Sequence, residues 1–149
     1  MSITYHKQET NFTCSAACMR MILASFGIKK SEKSLAKLLK TNRIRGALHK
    51  DFPTVLENYK LNYIVKRNAS FDDIKQLHKE EYKIILSYYA FNGKIPHSAI
   101  LKNINSRFIY LIDPWFGPNH KYSLKKFKKL WVSDKRFEKE KRWLMAVKK

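Results

Sequence analysis

Hydrophobic residues in the first half of the chain follow the spacing of amphipathic helices. Small and apolar residues recur with helical period over residues 13–26, and Gly27 follows them as a helix C-cap would. A second, short amphipathic helix is predicted over residues 31–40. A third is expected to begin at Pro53, and residues 70–73 resemble the capping box of a fourth. The first half is therefore predicted to be helical.

The second half changes to short β-rich runs. Three strands are predicted, over residues 82–89, 97–104 and 107–112, with a turn at 103–106 between the last two. Asp113-Pro114 and Gly117-Pro118 are expected to end the last of these strands.

A lysine-rich helix over residues 123–131 and a strand over 142–147 complete the predicted elements. Helices followed by an antiparallel sheet indicate an α+β fold, with N-terminal helices packed on a C-terminal sheet. A chain of 149 residues fits one domain, predicted over 1–149.

Composition excludes several classes of protein. Hydrophobic residues make up 44% of the chain, which argues against wholesale disorder. No apolar run approaches the roughly 18 residues that a membrane span needs, and the N-terminal residues do not resemble a signal peptide. Cys14 and Cys18 are too few for a disulfide framework and are poorly placed on one helix to bond each other. A reducing cytoplasm is the expected location.

The charge balance is strongly basic, with 31 Lys and Arg against 12 Asp and Glu and a formal net charge of +19. A partner or surface of negative charge is therefore plausible. The helix over residues 123–131 has four lysines on one face. Two interpretations are open for it: a packed helix with a solvated basic face, or a docking surface for an acidic helix, nucleic acid or anionic lipid.

Cys14 is a candidate nucleophile. If Asn11 or Thr13 caps the helix, Cys14 lies in the first helical turn, where unsatisfied N–H groups and the helix dipole favour a thiolate. The alternative for any such residue is a buried structural cysteine. Cys18, one turn further along beside Ala17, fits that alternative.

A nucleophilic cysteine needs a base, and the chain has five histidines. His78 is predicted on the polar side of a helix, His49 and His120 in turn-like surface positions, and His6 in the segment before the first helix. His97 differs because it begins a predicted strand, where a side chain is held more firmly than in a loop. His97 is therefore the candidate base.

Asp113 is the candidate for orienting that base. It lies sixteen residues after His97, at the end of the next predicted strand. If the two strands form an antiparallel pair joined through Asn105, the start of one lies opposite the end of the other. Asp113 would then lie within reach of His97. The alternative is an Asp that forms a turn before Pro.

Gln8 lies six residues before Cys14. Acyl transfer by a cysteine builds negative charge on the carbonyl oxygen, and a side-chain amide beside the cysteine N–H can stabilise it. A surface glutamine is the alternative. Four independent coincidences would be needed to explain Gln8, Cys14, His97 and Asp113 separately.

Three stretches carry a resemblance to a known family. Residues 8–27 (QETNFTCSAACMRMILASFG) resemble the opening motif of the C39 peptidases, papain-like cysteine peptidases best known as leader-cleaving domains of bacteriocin-exporting ABC transporters. Residues 97–101 (HSAIL) and 111–117 (LIDPWFG) are similar to that family's His strand and Asp-Pro strand end. Phe127 and Trp131 are similar to its closing pattern, so the resemblance covers nearly the whole chain.

This resemblance implies a papain-like fold and hydrolysis of a peptide bond through a thioester. Matched by motif, Cys14 would be the nucleophile, His97 the general base, Asp113 its orienter and Gln8 the oxyanion donor, with no cofactor and no metal. The family usually has Gly directly after the cysteine, where this chain has Ser15.

The resemblance also implies a substrate and a partner. In the exporter members the cleaved bond follows a pair of small residues, commonly Gly-Gly, in a leader peptide that can carry acidic residues. An ABC transporter would be the partner in cis or in trans, at the inner face of the membrane. The chain has no G-x-x-x-x-G-K-[ST] motif, so it is expected to be a stand-alone peptidase or one domain of a longer transporter.

Three alternative functions are open. A catalytically idle docking domain would bind leaders without cutting them, and a thiol acyltransferase would pass the acyl group to an amine instead of water. A basic nucleic-acid-binding module is the weakest of the three. The lysines are spread along the chain, and there is no zinc-ligand spacing and no RNP-like aromatic motif.

Overall fold

Helix α1, Cys14–Ser25, forms from the run of small and apolar residues, and most of its side chains are buried. In the computed structural model, which describes residues 2–149, the N–H of Gly27 donates to the carbonyl of Ala24 at the end of this helix. Gly27 has a φ of +83°, a left-handed conformation that glycine adopts without strain. The predicted helix is confirmed; its C-cap is Phe26, and Gly27 follows as the left-handed residue just beyond it.

The remaining helices are short. They are Glu32–Leu38 (α2), Phe52–Asn58 (α3), Phe71–Lys79 (α4), the single turn Ala90–Gly93 (α5) and Leu124–Leu130 (α6), with a 3-10 turn at His49–Asp51 before α3. Ser70 forms the predicted capping box with Asp73 at the start of α4. In α6 the ring of Phe127 is buried while the lysines are exposed.

Six strands form one antiparallel sheet with the order β1-β6-β2-β3-β4-β5. The strands are Asn62–Lys66 (β1), Lys83–Tyr89 (β2), Ile95–Ile104 (β3), Phe108–Asp113 (β4), Gly117–Ser123 (β5) and Leu144–Lys148 (β6). Four of them, β2, β3, β4 and β6, correspond to predicted strands.

Two strands, β1 and β5, were not predicted, and one predicted turn is displaced. β5 begins at Gly117, where the sequence was expected to end a strand, because the chain after Asp113 turns back and pairs with β4. Pro118 fits there because β5 is an edge strand, which needs fewer N–H donors. The turn between β3 and β4 lies after Ile104 rather than over 103–106.

The sheet is covered on both faces, which gives the molecule two hydrophobic cores. Side chains alternate along β2, so Ile85 packs with α1, α2 and α3, whereas Ile84 and Leu86 pack with α4 and α6. The predicted α+β class is confirmed. Within residues 2–149, no helix combines the length and the apolar character needed to cross a bilayer.

Candidate active site

Cys14 is the first residue of α1, and its side chain is half-buried. Thr13 occupies the N-cap position, but its hydroxyl donates to Glu32 Oε2 at 2.7 Å instead of capping the helix. The first-turn N–H groups and the positive end of the helix dipole therefore remain directed at the region of the thiol.

The antiparallel pairing of β3 and β4 brings His97 and Asp113 together. His97 lies near the start of β3 and Asp113 is the last residue of β4, and His97 Nε2 lies 2.6 Å from Asp113 Oδ1. Both side chains are buried. The contact that the strand pattern predicted is therefore present.

The imidazole of His97 also interacts with Cys14. Burial raises the pKa of the Cys14 thiol, but the hydrogen bond with His97, its charge and the N–H of Ser98 outweigh that effect, so the pKa lies below its ordinary value. Burial likewise lowers the pKa of His97, while Asp113 and Cys14 raise it to about 10. These interactions therefore favour a thiolate paired with an imidazolium.

Asp113 is held by donors besides His97. The hydroxyl of Tyr88 donates to Asp113 Oδ2 at 2.5 Å, and the N–H groups of Trp115 and Phe116 donate to Oδ1 at 2.9 and 3.1 Å. Burial raises the pKa of Asp113, but His97, Tyr88 and these N–H groups lower it below its ordinary value. Asp113 therefore remains a carboxylate in a buried position.

Tyr88 is a site residue that the sequence did not reveal. Its ring is buried and stands edge-on to the ring of His97, with centroids 5.7 Å apart. It reaches the site because Tyr88 lies opposite His97 in the β2–β3 register. Only that register, which no local pattern specifies, could have identified it.

Gln8 is buried beside the end of β4. Its backbone N–H donates to the carbonyl of Pro114 at 2.8 Å, which anchors the N-terminal segment next to Asp113. Its Nε2 donates to the carbonyl of Thr10 at 2.7 Å, and its Oε1 has no hydrogen-bond partner within residues 2–149. An amide nitrogen carries two hydrogens, so one remains for a further acceptor.

Ser15 stands where the C39 family usually has glycine. Its hydroxyl lies 3.0 Å from that of Ser98, and both side chains are buried. Ser98 directly follows His97, so this hydrogen bond connects the start of α1 to β3 beside the site. The Ser15 hydroxyl is thereby turned toward β3.

An open cleft of about 150 Å³ adjoins Cys14 and His97. Its other walls come from residues 43–49, between α2 and α3, and from residues 132–138, after α6. Charged side chains of both signs line it: Arg43, Arg45, Arg136, Asp134 and Glu138. This cleft is where a substrate can approach the thiol.

His49 was predicted at the surface, and this prediction is wrong. The 3-10 turn places His49 in a buried position, with its ring stacked on Trp143 at 3.6 Å between ring centroids. Its Nδ1 lies 2.8 Å from Glu140 Oε1, and its Nε2 lies 2.6 Å from the hydroxyl of Ser87. Burial lowers the pKa of His49 to about 4 despite the contact with Glu140.

The surroundings of His49 are also the place where a metal ion could be held. Ligand atoms of His49, Glu138 and Glu140 lie within 4.8 Å of one another, the one such group found within residues 2–149. Burial and the nearby charges of Glu140 and Asp134 raise the pKa of Glu138 to about 7. The contacts of His49 with Glu140 and Ser87 already engage both ring nitrogens.

The remaining histidines do not line the cleft beside Cys14. His120 was predicted in a turn but lies half-buried in β5, stacked on Phe116 with ring centroids 4.4 Å apart. His78 is partly exposed in the last turn of α4, and His6 lies in the segment before α1, as predicted.

Comparison with known proteins identifies relatives of this arrangement. The sequence model of the peptidase C39 family matches residues 2–134. No curated protein matches the chain in sequence.

Many solved structures share the fold, including the following three. A double glycine motif protease from an AMS/PCAT transporter, crystallised with its leader peptide, has a TM-score of 0.71 at 17% identity, covering 98% of this chain and 91% of that chain. The peptidase domain of Streptococcus ComA, a bifunctional ABC transporter of a quorum-sensing pathway, has a TM-score of 0.75 at 13% identity, covering 98% of both chains. A C39-like peptidase from Bacillus anthracis has a TM-score of 0.71 at 13% identity, covering 99% and 95%. The predicted papain-like fold is therefore confirmed.

Proposed function

Because the chain belongs to the peptidase C39 family, we propose that it is a cysteine peptidase in which Cys14 is the nucleophile, His97 the general acid and base, and Asp113 the residue that orients His97. One observation carries this proposal. Nε2 of a buried histidine is engaged with Asp113, while the same ring lowers the pKa of a thiol at a helix N-terminus. These are the requirements of an activated cysteine.

In the proposed reaction the Cys14 thiolate attacks the carbonyl carbon of the scissile bond and forms a carbon–sulfur bond. The N–H of Cys14 and the amide of Gln8 stabilise the resulting oxyanion. The carbon–nitrogen bond then breaks as the His97 imidazolium gives its proton to the leaving amine. Water, losing a proton to His97, attacks the thioester, and the carbon–sulfur bond breaks to release the acid.

We propose that the bond cleaved follows a pair of small residues such as Gly-Gly in a leader peptide. The similar AMS/PCAT protein is a double glycine motif protease that was crystallised with a leader peptide, which supports this choice. The exposed lysines of α6 and a net charge of +19 would attract a leader that carries acidic residues.

The partner and the location belong to the same proposal. An ABC transporter in cis or in trans would deliver the leader to residues 1–149, acting as one peptidase domain at the inner face of the membrane. Two of the similar structures come from transporters, which supports this partner. Both cysteines are free, as a cytoplasmic location requires.

The rate of alkylation of Cys14 by iodoacetamide between pH 4 and 10 tests the site. The measurement uses a Cys18→Ser background so that Cys14 is the only thiol. Cys18 is fully buried, and burial raises its pKa well above the ordinary value. We expect rapid labelling at pH 6 that falls roughly 100-fold in His97→Ala, because an ordinary thiol is almost fully protonated there. Labelling that rises only near pH 8.5 in both proteins would contradict the proposed ion pair.

Cleavage of Gly-Gly leader peptides by the wild type, and not by Cys14→Ala, tests the activity itself. Mass spectrometry of the products locates the bond that is broken. Rapid alkylation at pH 6 together with leader binding, but without cleavage, would favour the idle docking domain instead.

A further inference from the structure

Three exposed aromatic side chains cluster beside His97, and we call Phe91, Trp115 and Phe116 the aromatic rim. They are 39%, 38% and 38% exposed. The ring centroid of Phe91 lies 4.9 Å from that of Phe116 and 6.4 Å from that of Trp115. Adjacent exposed rings of this size are typical of a binding surface rather than of scattered surface residues.

The aromatic rim is attached to the proposed catalytic residues. The ring of Phe116 stands edge-on to that of His97, with centroids 6.1 Å apart. The N–H groups of Trp115 and Phe116 both donate to Asp113 Oδ1, the oxygen that contacts His97. The backbone positions of Trp115 and Phe116 are therefore fixed by the same carboxylate that orients His97.

The backbone at Phe91 is unfavourable for its residue type. Phe91 and Asn92 have φ values of 53° and 56°, in the left-handed region that residues with a Cβ rarely adopt. Gly or Asn would be the favoured residue at such a position. The turn between β2 and β3 nevertheless presents a large apolar ring to Phe116.

The chemistry of the proposed peptidase determines which part of a substrate passes over the rim, so this step rests on the proposed function. His97 must protonate the leaving nitrogen, so the residue that begins at that nitrogen lies against His97. The rim begins with Phe116, whose ring contacts that of His97. The cleft walls formed by residues 11–15, 43–49 and 132–138 remain for the acyl side of the substrate.

We propose that the aromatic rim is a binding subsite for an apolar side chain on the first residue after the scissile bond. Such a side chain would cover rings that are otherwise exposed to water, and its burial stabilises the complex in proportion to the apolar area covered. The cleavage site would then combine small residues before the bond with an apolar residue after it.

An acyl-transfer experiment tests this subsite without knowledge of the natural leader. Acetyl-Gly-Gly thiobenzyl ester acylates Cys14 with release of benzyl thiol, and the thioester then partitions between water and an added amine. The amine loses its proton to His97 as it attacks, so by microscopic reversibility it occupies the position of the leaving group. The acceptors are the amides of phenylalanine, leucine, lysine and glycine, and the readout is the ratio of transfer to hydrolysis.

We expect this ratio to be about tenfold higher for the phenylalanine and leucine amides than for glycine amide, with lysine amide close to glycine amide. Phe91→Ala should reduce the preference to about twofold, because it removes one ring of the rim without touching Asp113. Phe137→Ala is the matched control, since Phe137 is a 45% exposed ring outside the rim, and it should retain the preference.

The outcomes separate the subsite from the activity. Turnover of the donor that depends on Cys14 but shows equal partition to all four acceptors would overturn the subsite alone. A preference that survives in Phe91→Ala and Trp115→Ala would also overturn it. Absence of any turnover above that of Cys14→Ala would contradict the proposed function and, with it, the subsite.

Discussion

Two histidines line the same cleft and each contacts a carboxylate, yet they favour opposite protonation states. His97 lies 2.6 Å from Asp113, and His49 lies 2.8 Å from Glu140. Burial disfavours the charged form of both rings. Even so, the pKa of His97 is raised to about 10, whereas that of His49 is lowered to about 4. A short contact with a carboxylate is therefore not sufficient to make a buried histidine a base.

The difference lies in the charges around each pair. His97 interacts with Asp113 and Cys14, and within residues 2–149 the ion pair of Asp113 is with His97 alone. His49 also lies near two carboxyl groups, Glu140 and Glu138, but the pKa of Glu138 is raised to about 7, which favours its neutral form. Glu140 is shared with the guanidinium of Arg67, whose positive charge further lowers the pKa of His49. The pKa of a buried histidine is thus raised where the nearby negative charge is not already paired with another cation.

Removing each carboxylate in turn is the strongest test of this comparison. Asp113→Asn should slow alkylation of Cys14 at pH 6 by about 100-fold, because an amide stabilises neither the imidazolium nor the correct orientation of the ring. Glu140→Gln, the matched change in the other pair, should alter the rate by less than about twofold. Iodoacetamide labelling in the Cys18→Ser background measures both, and equal effects would contradict the distinction between the pairs.

The pH dependence of folding stability gives the next largest effect. The pKa of His49 is about 4 in the folded protein and near 6.5 when unfolded, so the unfolded chain takes up the proton first as the pH falls. The stability that His49 contributes is therefore present above pH 6.5 and is lost between pH 6.5 and 4, by up to about 3 kcal/mol. Urea unfolding should show the difference in free energy of unfolding between wild type and His49→Gln narrowing by that amount as the pH falls from 6.5 to 4.

Glu138→Gln is the control for this pH series, because the contribution of Glu138 to stability changes with pH in the opposite direction. Its pKa of about 7 lies above the ordinary value of 4.5, so the stability it contributes is present below pH 4.5 and is lost as the pH rises through 7. The gap between wild type and Glu138→Gln should therefore widen as the pH falls. A gap that changes in the same direction for both variants would contradict the assigned protonation states.

The two pairs also differ in how far they could be predicted from the sequence. Cys14 and Asp113 occupy the ends of a helix and a strand and His97 lies near the start of another strand, and local patterns of apolar and turn residues specify such ends. His49 and Glu140 are 91 residues apart, and Glu140 lies in a segment outside the helices and strands. No periodicity links them, so the burial of His49 depends on long-range packing that the sequence pattern does not express.

The same limit explains the elements that were missed. β5 is a polar edge strand whose side chains are mostly exposed or half-buried, so it lacks the apolar alternation that identified the other strands. Tyr88 and the aromatic rim depend on the register of β2 with β3 and on the turn between them. A register is set by pairing between distant residues, so it could not be derived from either strand alone.

Removing Arg67 should change the pKa of His49 by the smallest amount among these predictions. Arg67→Ala removes the positive charge beside Glu140, so the pKa of His49 should rise from about 4 while remaining below 6.5, because burial still disfavours the imidazolium. Solvent screens the charge of Arg67, which is 57% exposed, and this keeps the rise small. NMR titration of the imidazole Cε1–H signals measures this rise.

Arg136→Ala, which removes a similarly exposed arginine paired with Asp134 instead, should leave the pKa of His49 unchanged. If neither variant moves that pKa, burial alone keeps His49 neutral, and the contrast with His97 would then rest on the Cys14 thiolate rather than on the sharing of Glu140.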